Sequence, residues 1–306
     1  METCSMENYG YHIPVMLEEC ISGLDIKPDG VYVDVTFGGG GHSRAILEKL
    51  NDKGRLIAFD QDPDALANAL DDERFVLLNQ NFRFLKNNLR FLGLSKVDGI
   101  LADLGISSHQ IDAAERGFAT RFDADLDMRM DQVSDVDAKK VVNTYSEEQL
   151  HRIFGEYGEV KNARNLAKKI VHDRMGGAIE TTQDLKAIVE ALASKGRENK
   201  YFAQVFQALR IEVNGELEAL KAFLEQSADM LDEGGRLVVM SYHSLEDRLV
   251  KRFMQMGKFS GKVEKDFYGN PLVPLKMISR KPILANEEEI GRNSRARSAK
   301  LRIAEK

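Results

Sequence analysis

Residues 31–42 read Val-Tyr-Val-Asp-Val-Thr-Phe-Gly-Gly-Gly-Gly-His, and no other stretch limits the chain's possible folds as strongly. A β-branched, hydrophobic run ends in Asp34, four glycines follow, and Ser43-Arg44-Ala45-Ile46-Leu47 opens a helical pattern. The order strand, glycine loop, helix turns the backbone sharply and admits a ligand to the main chain where a Cβ would block it. About 20 residues further on, where an acid can accept hydrogen bonds from ribose hydroxyls, the run Arg55-Leu56-Ile57-Ala58-Phe59 closes with Asp60. The expected ligand is a nucleoside-containing cofactor.

The alternation continues. Asn51-Asp52-Lys53-Gly54 is a turn, Pro63 suits the first turn of a helix, and Phe75-Val76-Leu77-Leu78 is a third strand. Residues 83–92 form a basic amphipathic helix, and Val97–Leu101 is a fourth strand leading to Asp103-Leu104-Gly105-Ile106-Ser107-Ser108. Strands alternating with helices predict an α/β fold with a parallel, doubly wound sheet that gathers ligands at the carboxyl ends of its strands. Asp34, the glycines, Asp60, Phe82 and Asp103 then share one edge. Upstream, Leu17–Leu24 reads as a helix, and His12 is either structural or a ligand contact.

From 112 to 200 the pattern is helical throughout. Ser134 and Ser146 each precede what looks like a capping box, and Leu166, Ile170, Leu185, Ile188 and Val189 mark apolar faces. Phe206 to Leu231 then reads as one long helix and Arg236–Ser241 as a fifth strand. Tyr242-His243-Ser244-Leu245-Glu246-Asp247-Arg248 follows, with a helix from Leu249 to Met256 and a closing hairpin at Met277-Ile278 and Leu301–Ile303. The predicted division is a cofactor-binding domain of residues 1–111 and 201–306, interrupted by a helical insertion at 112–200 that recognises substrate.

A content of 43% hydrophobic and 30% charged residues is that of a soluble globular protein. No apolar run reaches the roughly 18 residues of a membrane span, and the first residues lack the pattern of a signal peptide. A cytoplasmic protein with free thiols at Cys4 and Cys20 is expected. No His, Cys or Asp cluster has metal-ligand spacing, so no metal is expected. A net charge of −6 argues against coating nucleic acid indiscriminately, while leaving a specific nucleic-acid enzyme open.

Among nucleoside cofactors, the nicotinamide fingerprint wants a third glycine where Ser43 stands. An acid at the end of the first strand followed by a glycine turn fits S-adenosylmethionine better, with Asp34 placed to receive the methionine ammonium directly or through water. No Gly-Lys-Ser/Thr follows the glycines, which rules out a P-loop.

The ordered motifs then become specific. They are His12-Ile13-Pro14-Val15, Thr36 to Ser43, Asp60-Gln61-Asp62-Pro63, Asp103 to Ser108, Glu115-Arg116-Gly117-Phe118 and Leu126 to Asp131. Phe206 to Arg210, Ser241 to Arg248 and Asn293 to Ser298 complete the set. Over nearly its whole length the chain resembles the bacterial 16S rRNA cytosine-N4 methyltransferases, which are S-adenosylmethionine-dependent. The resemblance implies a Rossmann-like class I methyltransferase fold with an inserted all-helical domain. It implies that Gly40, Gly41 and His42 hold the methionine end of S-adenosyl-L-methionine, that Asp60 takes the ribose, that Phe82 lies beside the adenine, and that Asp103 and Gln110 complete the site. The family's substrate is a decoding-centre (P-site) cytidine of 16S rRNA in the small ribosomal subunit, methylated on the exocyclic N4.

Methylation of cytosine C5 generally needs a cysteine nucleophile, and neither Cys4 nor Cys20 follows a strand edge. An exocyclic amine needs its lone pair freed and aimed in line, which a polar acceptor on its N–H achieves. Asp103 is that acceptor or else a cofactor ligand; Tyr242 and His243 are candidates for holding a splayed base. Arg116, Arg248, Arg292, Arg295 and Arg297 are candidate phosphate contacts. A homodimer is the other partnership to test. The rival readings are a nicotinamide oxidoreductase and a non-catalytic ribosome-assembly factor that retains a cofactor pocket.

Overall fold

The computed structural model describes residues 14–306; His12 and Cys4 fall outside that range. The chain divides into two compact units, one of Met1–Gly105 with Glu218–Lys306 and one of Ile106–Leu217.

In the first unit, helix α1 (Leu17–Leu24) precedes strand β1 (Val31–Asp34), α2 (Gly41–Leu47), β2 (Arg55–Asp60), β3 (Phe75–Asn79), α3 (Leu85–Phe91) and β4 (Val97–Asp103). Pro63–Asn68 forms a 3₁₀ helix, not the expected α-helix. Asp62 caps it by accepting from the Asp64 N–H, and Pro63 sits at the start, where a missing N–H costs nothing. β1 to β4 are rich in Val, Ile and Leu and are parallel, with β3 as the half-exposed edge strand.

The chain then builds the second unit from α4 (Ser108–Asp112), α5 (Ala138–Thr144), α6 (Glu147–Glu156), α7 (Ala163–Asp173), α8 (Thr182–Glu190) and α9 (Glu198–Asn214). Leu150, Phe154, Leu166, Ile170, Leu185, Val189, Phe206 and Leu209 share one core. Its described residues hold no strand, only an isolated bridge between Asp125 and Thr181. The Ser146 capping box is present, whereas α5 is capped by Asp137 and not by the Ser134 site.

The long helix expected from Phe206 to Leu231 is broken. Gly215, at φ +57°, ends α9, and α10 (Glu216–Met230) begins beyond it. The Asn214 amide donates to the Met128 carbonyl and accepts from the Met130 N–H, fixing the elbow. The unit boundaries therefore fall after Gly105 and Leu217 rather than at 111 and 200. Helix α9 belongs with the insertion because Phe202, Val205, Phe206 and Leu209 are buried in its core.

Back in the first unit, β5 (Leu231–Ser241), α11 (Ser244–Met256), β6 (Lys276–Met277), α12 (Glu287–Arg292) and β7 (Lys300–Glu305) complete the sheet. Its order is β3-β2-β1-β4-β5-β7-β6, with β7 antiparallel to both neighbours. The pairing of β4 with β5 slips between Val97 and Gly99, so the Asp232-Glu233-Gly234-Gly235 turn lies within β5 as an irregularity. Val33, Ile57, Ile100 and Val239 pack under Phe223 and Leu224 of α10 on one face. Tyr32, Leu56, Leu101 and Val238 pack with Ile46 of α2 on the other. This is the Rossmann-like class I methyltransferase arrangement. Strand order reverses between β1 and β4, and such a switch point opens a crevice at the carboxyl ends. Asp34 and Asp103 end those two strands.

Candidate active site

The site is built from loops at the carboxyl ends of β1 to β5. Asp34 is 1% exposed, and burial pushes its carboxyl upward. One oxygen accepts from the Ser43 hydroxyl at 2.7 Å and the other from the Thr36 N–H at 3.1 Å. Asp34 therefore braces the glycine loop from beneath, tying β1 to the first turn of α2. Ser43, which breaks the nicotinamide pattern, is the partner that makes this brace. Thr36 also accepts the Asp103 N–H on its hydroxyl at 2.7 Å, which locks β4 to the loop. Neither role could be read from sequence, because a hydroxyl declares its partner only once the loop is closed.

The glycines are not equivalent. Gly40 lies at φ +75°, and its N–H donates to the Phe37 carbonyl at 2.8 Å. A Cβ on Gly41 would lie 2.2 Å from Pro14 Cγ, while one on Gly39 would meet nothing within 4 Å. Gly39→Ala is therefore expected to leave the melting temperature unchanged. Gly41→Ala must displace a rigid ring, at a cost on the order of 1–3 kcal/mol. Thermal melts of the two variants side by side check this, and equal melting temperatures would remove the steric argument.

Asp60, at the end of β2, accepts the Gly38 N–H at 2.8 Å and the Asp62 N–H at 2.9 Å. Burial raises its pKa to about 6 against those two donors. Each carboxylate oxygen has two lone pairs, so acceptor capacity remains on this partly exposed group. Beside it, Asn81 donates to Gln61, joining the loops after β2 and β3. The half-buried Phe82 ring is held edge-on by Phe223 at 5.4 Å. Open space over Gly39, an acid with acceptor capacity left and an anchored aromatic ring fit a nucleoside cofactor.

Asp103 ends β4. Its Oδ1 accepts the Tyr242 hydroxyl at 2.8 Å, and its Oδ2 lies 3.9 Å from His42 Nδ1. Burial lifts the carboxyl to about 6, opposed by His42 and by the Tyr242 hydrogen bond. The same burial lowers the His42 pKa, opposed by the charge of Asp103 and by the Val15 carbonyl. His42 Nε2 faces the Val15 carbonyl at 3.2 Å. A carbonyl only accepts, so Nε2 carries a proton, and Nδ1 is the ring nitrogen that faces Asp103.

Tyr242 thus holds Asp103 and is no free stacking platform. His243 caps α11: its Nδ1 accepts from the Glu246 N–H, and Nε2 lies 3.2 Å from a Glu246 oxygen. Of the three expected catalytic side chains, Asp103 and Tyr242 meet, while His243 serves the helix start. The buried Glu246, overlooked in the sequence, accepts the Tyr242 N–H at 3.0 Å and so fixes the strand end that presents the phenol. A buried acid three residues after a helix cap was its only sequence signal. Cys20 is fully buried, with its thiol pushed up by that burial.

The remaining expected residues are dispersed. Gln110 lies in the helical unit, where its side chain completes the Ser107 capping box of α4. Arg116, in the same unit, is 8% exposed and donates to the Arg129 and Met130 carbonyls, which suits a loop clamp better than a phosphate contact. In the first unit, Arg248 and Arg297 are exposed and Arg292 pairs with Glu288. Arg295 is half-buried. Of the C-terminal basic run, Lys300 and Arg302 are bound to Asp247, and Lys306 to the Ala228 carbonyl. No helix among the described residues is long and apolar enough to cross a membrane.

The model of the MraW methylase family matches residues 10–306. The chain is 60% identical over 304 residues to the ribosomal RNA small subunit methyltransferase H of Flavobacterium johnsoniae, covering 99% of each chain. It is 54% identical over 300 residues to the protein of the same name from Bacteroides fragilis, covering 98% of this chain and 99% of that one. A solved rRNA methylase from Streptococcus thermophilus aligns with 95% of this chain and 94% of its own at 12% identity, with a TM-score of 0.42.

Proposed function

Because this chain belongs to the MraW methylase family, we propose that it methylates the exocyclic N4 of a P-site cytidine of 16S rRNA in the small ribosomal subunit. It is an S-adenosyl-L-methionine-dependent rRNA methyltransferase, and ribosomal subunits place its work in the cytoplasm. The cofactor supplies an electrophilic methyl group. Asp60 would take the ribose hydroxyls, Phe82 would lie beside the adenine, and the loop from Gly40 to His42 would hold the methionine end.

The observation that carries the N4 assignment is the Asp103 carboxylate, buried, pinned by Tyr242 and ending the strand at the switch point. An acceptor held there takes the amine N–H, frees the nitrogen lone pair from the ring and receives the proton that leaves as the new bond forms. Cys20, buried in the core with a raised thiol pKa, is no nucleophile for C5 chemistry.

The test is methyl transfer from labelled cofactor to small subunits lacking the modification, run beside naked 16S rRNA and followed by digestion to nucleosides. N4-methylcytidine is the expected product. A different methylated nucleoside overturns the N4 assignment. Tight cofactor binding without transfer to either substrate leaves the fold intact and favours an assembly factor.

A further inference from the structure

Between Gly257, which ends α11 at φ +68°, and the buried Leu275, the chain makes a hairpin that adds nothing to the sheet. Its base is fixed. Phe259 stacks on Phe253 with ring centroids 5.3 Å apart, and a Cβ on Gly257 would stand 2.5 Å from Pro274. Its arms pair at Lys265 and Pro271, and the Leu272 N–H donates to the Glu264 carbonyl at 2.8 Å. The tip is fixed as well. Asp266 accepts the Tyr268 and Asn270 N–H groups at 2.9 and 2.8 Å and the Asn270 amide at 2.9 Å.

On that braced turn Phe267 is 98% exposed and Tyr268 86% exposed, with their rings edge-on at 5.6 Å. Two adjacent bare rings on an ordered turn serve no core, and an ordered apolar patch of this kind marks an interaction site. Charge selects the partner. From Lys251 to Lys281 there are eight lysines and arginines against Glu264 and Asp266, in a chain of net charge −6. Lys258 pairs with Glu264, whereas Lys262 and Lys265 are exposed and in no ion pair among the described residues.

We infer that this hairpin is an RNA-contacting finger, in which Phe267 and Tyr268 stack on unpaired bases while Lys262 and Lys265 take the flanking phosphates. Lysines alone would bind duplex and single strand alike; exposed rings favour unpaired bases, whose faces are free. The inference rests on the reading of the substrate as rRNA and extends it to a surface outside the reacting centre.

The chain has no tryptophan, so Tyr268→Trp supplies a single fluorophore at the tip. Its emission is expected to be quenched saturably by a mixed-sequence single-stranded RNA and far less by the corresponding duplex. The double variant Phe267→Ala/Tyr268→Ala is expected to raise KM for small subunits by about 10-fold or more, the loss residing in KM rather than kcat, with affinity for S-adenosylhomocysteine kept. Equal quenching by duplex and single strand overturns stacking. An unchanged KM overturns the finger. A raised KM with quenching only by ribosomal proteins assigns the surface to protein instead. A wild-type chain that methylates no RNA defeats the functional reading, and the RNA quenching titration still decides the hairpin on its own.

Discussion

Asp103→Asn is expected to bind S-adenosylhomocysteine within a few-fold of the wild type while turnover falls by about 10²–10⁴, the usual worth of a positioned general acid or base. Asn keeps the size of the side chain and an oxygen for the Tyr242 hydroxyl, but it cannot take up a proton at pH 7. Single-turnover rates at saturating cofactor give the readout. Affinity lost in parallel, with the rate at saturation kept, would make Asp103 a cofactor ligand and no acceptor. The pH dependence gives an independent check. With the carboxyl at about 6, only its ionised form accepts, so the wild-type rate rises with pH through about 6 and then levels, and the variant loses that limb. Tyr242→Phe removes a hydrogen bond that lowers the Asp103 pKa, so its acid limb moves to higher pH. A merely structural tyrosine would leave the limb in place.

The same residue links activity to stability. Its folded-state pKa of about 6 stands above the ordinary 3.8, so between those values the folded chain binds more protons than the unfolded one. Stability therefore falls as pH rises through that window and stays lower above it. Asp103→Asn removes the buried charge, and its melting temperature at pH 8 is expected to equal or exceed that of the wild type.

Asp60→Ala is expected to weaken S-adenosylhomocysteine binding by about 10²–10³-fold in calorimetric titration. Two hydrogen bonds from ribose hydroxyls to a charged acceptor are worth roughly 1.5–3 kcal/mol each, and the lower end of that range already gives 10². The Gly38 and Asp62 N–H groups also lose their acceptor, so the loop loosens before the cofactor arrives. With the carboxyl at about 6, wild-type affinity should decline as pH drops below 6 and stay flat above it. A variant that binds with wild-type affinity would remove Asp60 from ribose recognition.

Much of the frame was legible in the sequence because it is written locally. The apolar runs ending at Asp34, Asp60 and Asp103 and the glycine loop after the first each show themselves within about ten residues. Hydrophobic period and turn chemistry act over that range. The misreadings were local signals outweighed by distant partners. Apolar spacing continues across Gly215, but Asn214 is captured by the backbone at Met128 and Met130 and the helix breaks there. Lys300 and Arg302 stand in a basic stretch of sequence, yet the distant Asp247 binds both.

Taken alone, the sequence determined the class of fold and the family to which the chain belongs, and it gathered the candidate site residues at one edge of the sheet. Only the tertiary structure decided what each polar group does there. Asp34 became a brace because Ser43 and Thr36 reach it, His243 became a cap because Glu246 lies beneath it, and Tyr242 became the partner of Asp103 across 139 residues of chain. The physical reason is the difference in range. Backbone propensity and hydrophobic period are properties of neighbouring residues, whereas a buried donor or acceptor takes whatever partner the closed fold brings within about 3 Å.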